Sequence, residues 1–209
     1  MQVLSPLSFC TRDSWSLGRH TTLDINREEL NDWLKTKGKN VNFFHLSSSA
    51  CLSGMVHELI PSDSRGFLLP GGEMTLYGLV PSSGEGVASE CQLKYHSISV
   101  CAVNPDINDA MDTLERYANI GGVIADKDYP VIFAINTPAE ITSDPLDITK
   151  PIIDPGREKM DLCEFAIRDY VPHREIEAII VPDNKFWDAS SRLKDCPALL
   201  EKINPFGHG

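Results

Sequence analysis

Two strand-like segments follow one another in Glu164-Phe-Ala-Ile-Arg-Asp-Tyr-Val-Pro-His-Arg-Glu-Ile-Glu-Ala-Ile-Ile-Val181. The first, within residues 161–170, mixes apolar and polar side chains, and Pro172 marks the turn that follows it. The second, residues 176–181, is almost entirely apolar and rich in β-branched side chains, which is typical of a buried strand. The stretch therefore predicts two consecutive strands joined by a short turn.

Short helices and strands alternate in the rest of the chain. The apolar periodicities predict helices over residues 26–36, 50–59 and 104–119, and a helix over 186–203 that breaks at Cys196-Pro197. They predict further strands over residues 41–45, 97–102 and 129–135. Residues 60–86 and 137–155 are rich in turn-forming residues and predict long loops. A long irregular stretch in a compact domain is more often a binding loop than a plain connection.

Local signals predict the two ends of the first helix and the buried face of the second. Thr22 or Asp24 can cap the helix over residues 26–36, and a left-handed Gly38 can end it. In the helix over residues 50–59, the apolar side chains, including Leu59, fall on one face, which predicts that this face is buried.

The pattern of elements favours the α+β class. No Gly-rich turn connects a strand to a helix, which argues against Rossmann and P-loop domains. A chain of 209 residues suits one domain. We expect residues 1–20 to be a peripheral lead-in, residues 21–209 to form the domain, and the core to span about 41–182.

Charge and cysteine usage narrow the function classes. A formal net charge of −11 argues against nucleic-acid binding, which requires clustered cations. No apolar run is long enough to span a bilayer and the start lacks a Sec-type signal, so we expect a soluble protein, cytoplasmic or delivered into a host cytosol by another route. The 6 cysteines are spread singly without zinc-ligand spacing, which predicts reduced thiols and no metal.

The order of the strands resembles the mono-ADP-ribosyltransferase family of bacterial toxins and effectors. In many members the catalytic Glu begins a strand, a proline follows, and a turn leads into another apolar strand. Glu164, Pro172 and Ile176 stand in that order here, with Pro172 eight positions after Glu164. The resemblance covers about residues 41–182, and it implies a split β-sheet core with flanking short helices and NAD as the substrate.

The resemblance also implies roles for single residues. Glu164 is similar to the catalytic carboxylate, and His45, at the end of the first core strand, to the residue that holds the dinucleotide. Ser99 is expected to donate a hydrogen bond to the Glu164 carboxylate. Tyr77 or Phe133 is expected to supply an aromatic face for nicotinamide. All four companions of Glu164 are thus expected to bind the cofactor.

Two departures from the family pattern bear on which protein side chain accepts the ADP-ribose. Arginine-modifying members carry a second Glu or Gln two residues before the catalytic Glu, where this chain has Leu162. The Ser-Thr-Ser element of many members is replaced by Ser99-Val100-Cys101. The loops at residues 69–73 and 80–85 look like those of members that modify a threonine of ubiquitin. The implied partner is a host protein, such as ubiquitin, modified on a side chain other than arginine.

Three alternatives stay open. Glu175-Ile-Glu177 has Glu-x-Glu spacing before an apolar strand, which would make Glu177 the catalytic residue of the same reaction. Cys51, at a predicted helix start, could be a low-pKa nucleophile with His57 or His96 as the base, as in a protease or transglutaminase-like effector. The chain could also be a domain of the same fold that has lost catalysis and only binds a partner.

Overall fold

A computed structural model describes residues 23, 25–69, 97–103, 114, 128–137, 164–168 and 170–207. The predicted helix over 104–119, apart from the buried Leu114, lies outside this part of the chain. Tyr77, the part of the predicted loop over 60–86 that follows residue 69, and the part of the predicted loop over 137–155 that follows residue 137 also lie outside it. The described residues confirm the α+β class.

The described strands form one mixed six-stranded sheet. They are β1 (Phe43–Ser48), β2 (Ser97–Ala102), β3 (Pro130–Ile135), β4 (Glu164–Arg168), β5 (Ile176–Pro182) and β6 (Ile203–Phe206). Their order is β4-β2-β1-β3-β5-β6, and every neighbouring pair is antiparallel except β5 and β6. The order places the strands that begin with Glu164, contain Ser99 and contain His45 side by side.

Both faces of the sheet are covered, which explains why β3 and β5 are apolar almost throughout. One face, called here the Phe133 face, packs on α2 (Ser49–Met55) and on residues 56–69. The other, called the Cys101 face, packs on α1 (Arg27–Thr36). Strand alternation assigns residues to the two faces in turn.

Helix α1 begins where a side chain satisfies its first free amides. The Asn26 carboxamide oxygen accepts hydrogen bonds from the backbone N–H groups of Glu28 and Glu29, at 3.0 and 3.1 Å. The predicted caps, Thr22 and Asp24, are therefore wrong, because the residue directly before the helix performs this role. Leu30 and Trp33 are buried as the periodicity predicted.

Gly38 follows α1 for a reason other than the one predicted. Among the described glycines, Gly66 (φ 83°), and not Gly38, has a positive φ. A Cβ atom at Gly38 would lie 2.5 Å from Cζ3 of Trp33, so glycine allows the chain to pass closely over the indole ring. The left-handed conformation expected at Gly38 is wrong.

We expect Gly38→Ala to lower the free energy of unfolding by about 1–3 kcal/mol, because the new methyl group overlaps a buried ring. Urea unfolding followed by circular dichroism measures this. Gly207→Ala is the control, since its Cβ would lie 3.6 Å from Oε1 of Glu29, an ordinary contact. Equal midpoints for the two variants would contradict the explanation.

Helix α2 is shorter than predicted. It follows β1 directly and ends at Met55, and the chain then turns so that Leu59 is 56% exposed. The predicted burial of Leu59 is therefore wrong, because the residue lies beyond the helix. Leu52 and Met55 are fully buried, as the pattern predicted.

The end of the described chain forms a strand–helix–strand unit. β5 leads through α3 (Phe186–Arg192) and α4 (Pro197–Leu200) to β6, which pairs parallel with β5. The break between the two helices was predicted, but the strand β6 was not. Lys202 holds the unit together, because its Nζ donates hydrogen bonds to the carbonyl oxygens of His173, at 2.6 Å, and Ile176. Burial lowers the pKa of Lys202, and the Glu177 carboxylate opposes that effect.

Candidate functional site

Three adjacent strands carry three of the residues that the sequence singled out, Glu164, Ser99 and His45. Glu164 begins β4 and pairs with Cys101 of β2, and Cys101 pairs with Phe44 of β1. His45 follows Phe44 directly. Adjacent strands lie about 4.8 Å apart, so the backbones of Glu164 and His45 are separated by two strand spacings, about 10 Å. A dinucleotide spans such a distance easily.

The register assigns these positions to two different faces of the sheet. Glu164 shares a cross-strand row with Cys101, which is buried on the Cys101 face, and Ser99 lies two positions from Cys101 on the same strand. Glu164 and Ser99 thus occupy positions of one face. His45 pairs with Phe133 and belongs to the opposite face. The backbone groups Glu164 with Ser99, and His45 with Phe133.

The His45 and Phe133 side chains are in contact. Their ring centroids are 6.0 Å apart and the ring planes are inclined by 33°. Phe133 is fully buried in the core, whereas His45 is half-buried. In this arrangement the Phe133 ring has no exposed surface to offer to nicotinamide, and its contacts are those of a core residue.

Glu177, the alternative carboxylate, is exposed near the start of β5. Its Oε1 accepts a hydrogen bond from Nδ2 of Asn136 at 3.3 Å. Glu164 lies on β4, which is next to β2. Glu177 lies on β5, and two strands, β1 and β3, stand between β5 and β2. Glu175, two residues earlier, lies 3.8 Å from the Arg174 guanidinium.

Cys51 does not have the properties of a reactive thiol. It is buried within α2, and this burial raises its pKa to about 11, although a hydrogen bond with Ser47 partly offsets the effect. A lowered pKa was expected, and this expectation is wrong because desolvation dominates. Nδ1 of His57, one proposed base, accepts the backbone N–H of Leu59 at 3.2 Å. His96, the other, lies outside the described residues.

A polar network that sequence reasoning missed connects α2, the two residues directly before β3, and α3. The Tyr129 hydroxyl donates to Oδ2 of Asp188 at 2.8 Å, and Nε of Arg192 donates to the same oxygen at 2.7 Å. The Ser49 hydroxyl donates to Oδ1 of Asp128 at 2.8 Å. The spacing of Asp188 and Arg192 on one helix was visible in the sequence, but their tyrosine partner is 59 positions away.

The network sets the protonation of its members. Burial is the largest cause that raises the pKa of Tyr129, and the Asp188 carboxylate adds to it, so the hydroxyl stays protonated and donates. Burial would raise the pKa of Asp188, but hydrogen bonds from Tyr129 and Arg192 outweigh it and the pKa is lowered. The network therefore joins a neutral phenol to an ionic pair and is best explained as a structural clamp.

We expect Asp188→Asn to flatten the acid limb of the stability curve. Because the folded-state pKa of Asp188 lies below its ordinary value of 3.8, its contribution is complete above about pH 4 and disappears as the pH falls through the folded-state pKa. The Asp188 side chain is about half exposed, so the change in the free energy of unfolding is about 0.5 kcal/mol. Urea midpoints between about pH 2.5 and pH 6 measure it. Asp183→Asn, an exposed aspartate in the turn before α3, is the control, and a parallel change in both variants would count against the clamp.

Two further properties of the described residues concern metal binding and membrane spanning. Among them, no group of three or more His, Cys, Asp or Glu residues is arranged to hold a metal ion. In the same part of the chain, no helix is both long and apolar enough to cross a membrane.

Comparisons with known proteins give no relative. The chain matches no protein-family model, and no curated protein or solved structure matches it significantly.

Proposed function

We propose that the chain is a mono-ADP-ribosyltransferase that transfers ADP-ribose from NAD to a non-arginine side chain of a host protein. The observation that supports it is that β4 and β2 are neighbouring strands whose register puts Glu164 and Ser99 at positions of the same face. A catalytic carboxylate and the groups that hold a dinucleotide must lie within one ligand length, and neighbouring strands meet this need.

The chemistry depends on one carboxylate. The bond between the ribose C1′ and the nicotinamide nitrogen breaks, nicotinamide leaves as a neutral molecule, and positive charge builds up on the sugar. A fixed carboxylate at Glu164 stabilises that charge and accepts a hydrogen bond from the ribose hydroxyl. The acceptor side chain then attacks C1′ and loses its proton to solvent. When the acceptor is a hydroxyl, as in a threonine of ubiquitin, the product is an O-glycoside.

The register refines which residues act together. Glu164 and Ser99 occupy positions of the same face, so the proposal assigns the reacting ribose to the Cys101 face. His45 belongs to the other face and is in contact with Phe133. We therefore propose that the Glu164–Ser99 pair serves the reaction and that His45 contributes at most to holding the adenosine end.

The test is incubation of the purified chain with NAD labelled in its adenylate and with a host-cell lysate, with labelled protein and free nicotinamide as the two readouts. Transfer gives both products. Nicotinamide without labelled protein indicates an NAD glycohydrolase, and neither product with lysates of several cell types would refute the proposal. Purified ubiquitin is the first single acceptor to assay.

Glu177 supplies an alternative within the same reaction, because its carboxylate is exposed and accepts a hydrogen bond from Asn136. Glu177→Gln separates the two assignments. Loss of nicotinamide release in this variant, with normal release in Glu164→Gln, would transfer the catalytic role to Glu177.

A further inference from the structure

Strand β4 carries residues of opposite charge at its two ends. Glu164 begins the strand and Arg168 ends it. Both positions alternate with Ile167, which is buried in the core of the Phe133 face, so both belong to the Cys101 face. Ala166, midway between them on the same face, is a small residue. The strand therefore places an acidic, a small and a basic position in one row.

The two charged positions are too far apart to serve each other. Four residues of strand separate their backbones by about 14 Å, at about 3.4 Å per residue, and strand side chains stand roughly perpendicular to the sheet. Arg168 is also the only cation in the described strands β2 and β4. NAD has the matching charge distribution, because its nicotinamide ring is cationic and its pyrophosphate is anionic. A nicotinamide end at Glu164 thus brings the pyrophosphate towards Arg168.

A fixed and exposed aromatic ring lies shortly after β4. Tyr170 is 53% exposed, and the Phe67 ring stacks on it, with ring centroids 5.2 Å apart and planes inclined by 18°. The two neighbouring residues, Val171 and Leu68, are fully buried and exchange a pair of backbone hydrogen bonds of 2.9 Å. This support fixes the orientation of the Tyr170 ring, which reduces the entropy lost when a planar ligand stacks on it.

We propose that the adenylate half of NAD lies along the end of β4, with the Arg168 guanidinium against the pyrophosphate and the adenine stacked on the Tyr170 ring. The inference rests on the proposed function, because that function assigns the reacting ribose to Glu164. Guanidinium groups bind phosphate through paired hydrogen bonds, and aromatic side chains stack on bases. His45, which belongs to the opposite face, is then not needed at the adenosine end.

The order of the groups along the chain supports this assignment. Glu164, Arg168 and Tyr170 follow one another as the reacting ribose, the pyrophosphate and the adenine do in the dinucleotide. Phe133 cannot supply the aromatic surface, because it is fully buried. The more exposed Trp187 lies on α3, which packs near β5 and β6, whereas β4 is the opposite edge of the sheet.

The experiment measures binding of ADP-ribose and of adenosine to the whole chain by isothermal titration, so it does not depend on turnover. Arg168→Gln should weaken ADP-ribose binding at least about tenfold, the usual loss of a hydrogen bond to a charged group, and leave adenosine binding unchanged. Arg168→Lys should restore part of the affinity, because it keeps the charge but not the paired donors.

Tyr170→Ala should weaken the binding of both ligands at least about fivefold, the usual loss when a base no longer stacks on an aromatic ring. Tyr170→Phe should keep the wild-type affinities, because the ring remains. Urea midpoints close to that of the wild type confirm that the variants are folded, as expected for a residue that is 53% exposed.

Two variants beside β5 and β6 are the matched controls. Lys194→Gln removes one exposed cation, as Arg168→Gln does, and Trp187→Ala removes an exposed ring, as Tyr170→Ala does. Both should bind like the wild type. The assignment is overturned if the wild type binds neither ligand, or if either β4 variant loses no more affinity than its control.

The binding result and the proposed reaction can fail separately. The expected pattern of binding in a chain that releases no nicotinamide from NAD would uphold the adenylate site and refute the transferase. Nicotinamide release that Glu164→Gln abolishes, with ADP-ribose binding unaffected by Arg168→Gln and Tyr170→Ala, would uphold the reaction and overturn the adenylate site.

Discussion

Replacing Glu164 with glutamine is expected to reduce the release of nicotinamide from NAD by about a hundred- to a thousandfold, the usual effect of removing one group that stabilises transition-state charge. The substitution keeps the shape of the side chain and removes its charge. The positive charge that builds up on the ribose then has no fixed counter-charge. The rate of nicotinamide release at saturating NAD measures the effect, because a loss confined to binding would raise KM and leave kcat unchanged.

Glu201→Gln is the matched control for this change. Glu201 is exposed beyond α4, on the side of the sheet farthest from β4, and its replacement should leave the rate unchanged. Ser99→Ala should lower the rate less than Glu164→Gln does, because it removes a donor and leaves the carboxylate in place. If the wild type releases no nicotinamide but binds a host partner, and Glu164→Gln leaves that binding unchanged, the chain is instead a domain that has lost catalysis.

The second large effect concerns stability. Phe133→Ala should lower the free energy of unfolding by about 3–5 kcal/mol, because the ring is fully buried and its removal leaves a cavity. Phe133 lies in the middle of β3 between His45 of β1 and Ile179 of β5, so neighbouring strands cannot easily fill the space. Urea unfolding measures this loss, and Phe67→Ala, which removes a partly buried ring, should cost less.

Phe133→Leu separates packing from a role in binding nicotinamide. Leucine keeps most of the apolar volume, so the cost in stability should remain under about 1.5 kcal/mol. If the ring acts only in the core, this variant releases nicotinamide at the wild-type rate. A stable but inactive Phe133→Leu would show that the aromatic face takes part in the reaction and that the cleft opens to reach it.

Much of the fold could be predicted because its signals are local. The apolar run before Asn136 predicts β3, and the run after Glu175 predicts β5, since strands covered on both faces contain few polar residues. β6 was missed because four residues that include Pro205 carry no clear alternation, and a strand of this kind forms only by pairing with β5. The close passage of Gly38 over Trp33 was also beyond prediction, since it depends on a ring position in space.

The candidate site was less predictable than the fold. The residue types and their order along the chain indicate Glu164, Ser99 and His45 as candidates. Their placement in the sheet could not be predicted, because strand order and register depend on residues far apart in the sequence. A shift of one residue moves a side chain to the other face, and this decides that Glu164 is grouped with Ser99 and His45 with Phe133. The Tyr129–Asp188 contact could not be predicted from the sequence for the same reason, since no residue near either side chain in the sequence indicates the other.

The parallel strand β6 also has a consequence for how the chain folds. Phe206 packs edge-on against Trp33, and the backbone N–H of Gly207 donates to Oε2 of Glu29, a residue 178 positions earlier. Helix α1 therefore completes its packing only when a segment synthesised much later arrives. Contacts of such sequence separation slow folding, because loop closure must precede the stabilisation that they provide. The contacts of α1 with β6 therefore join the first and the last described elements of the domain, and they raise its mean contact separation.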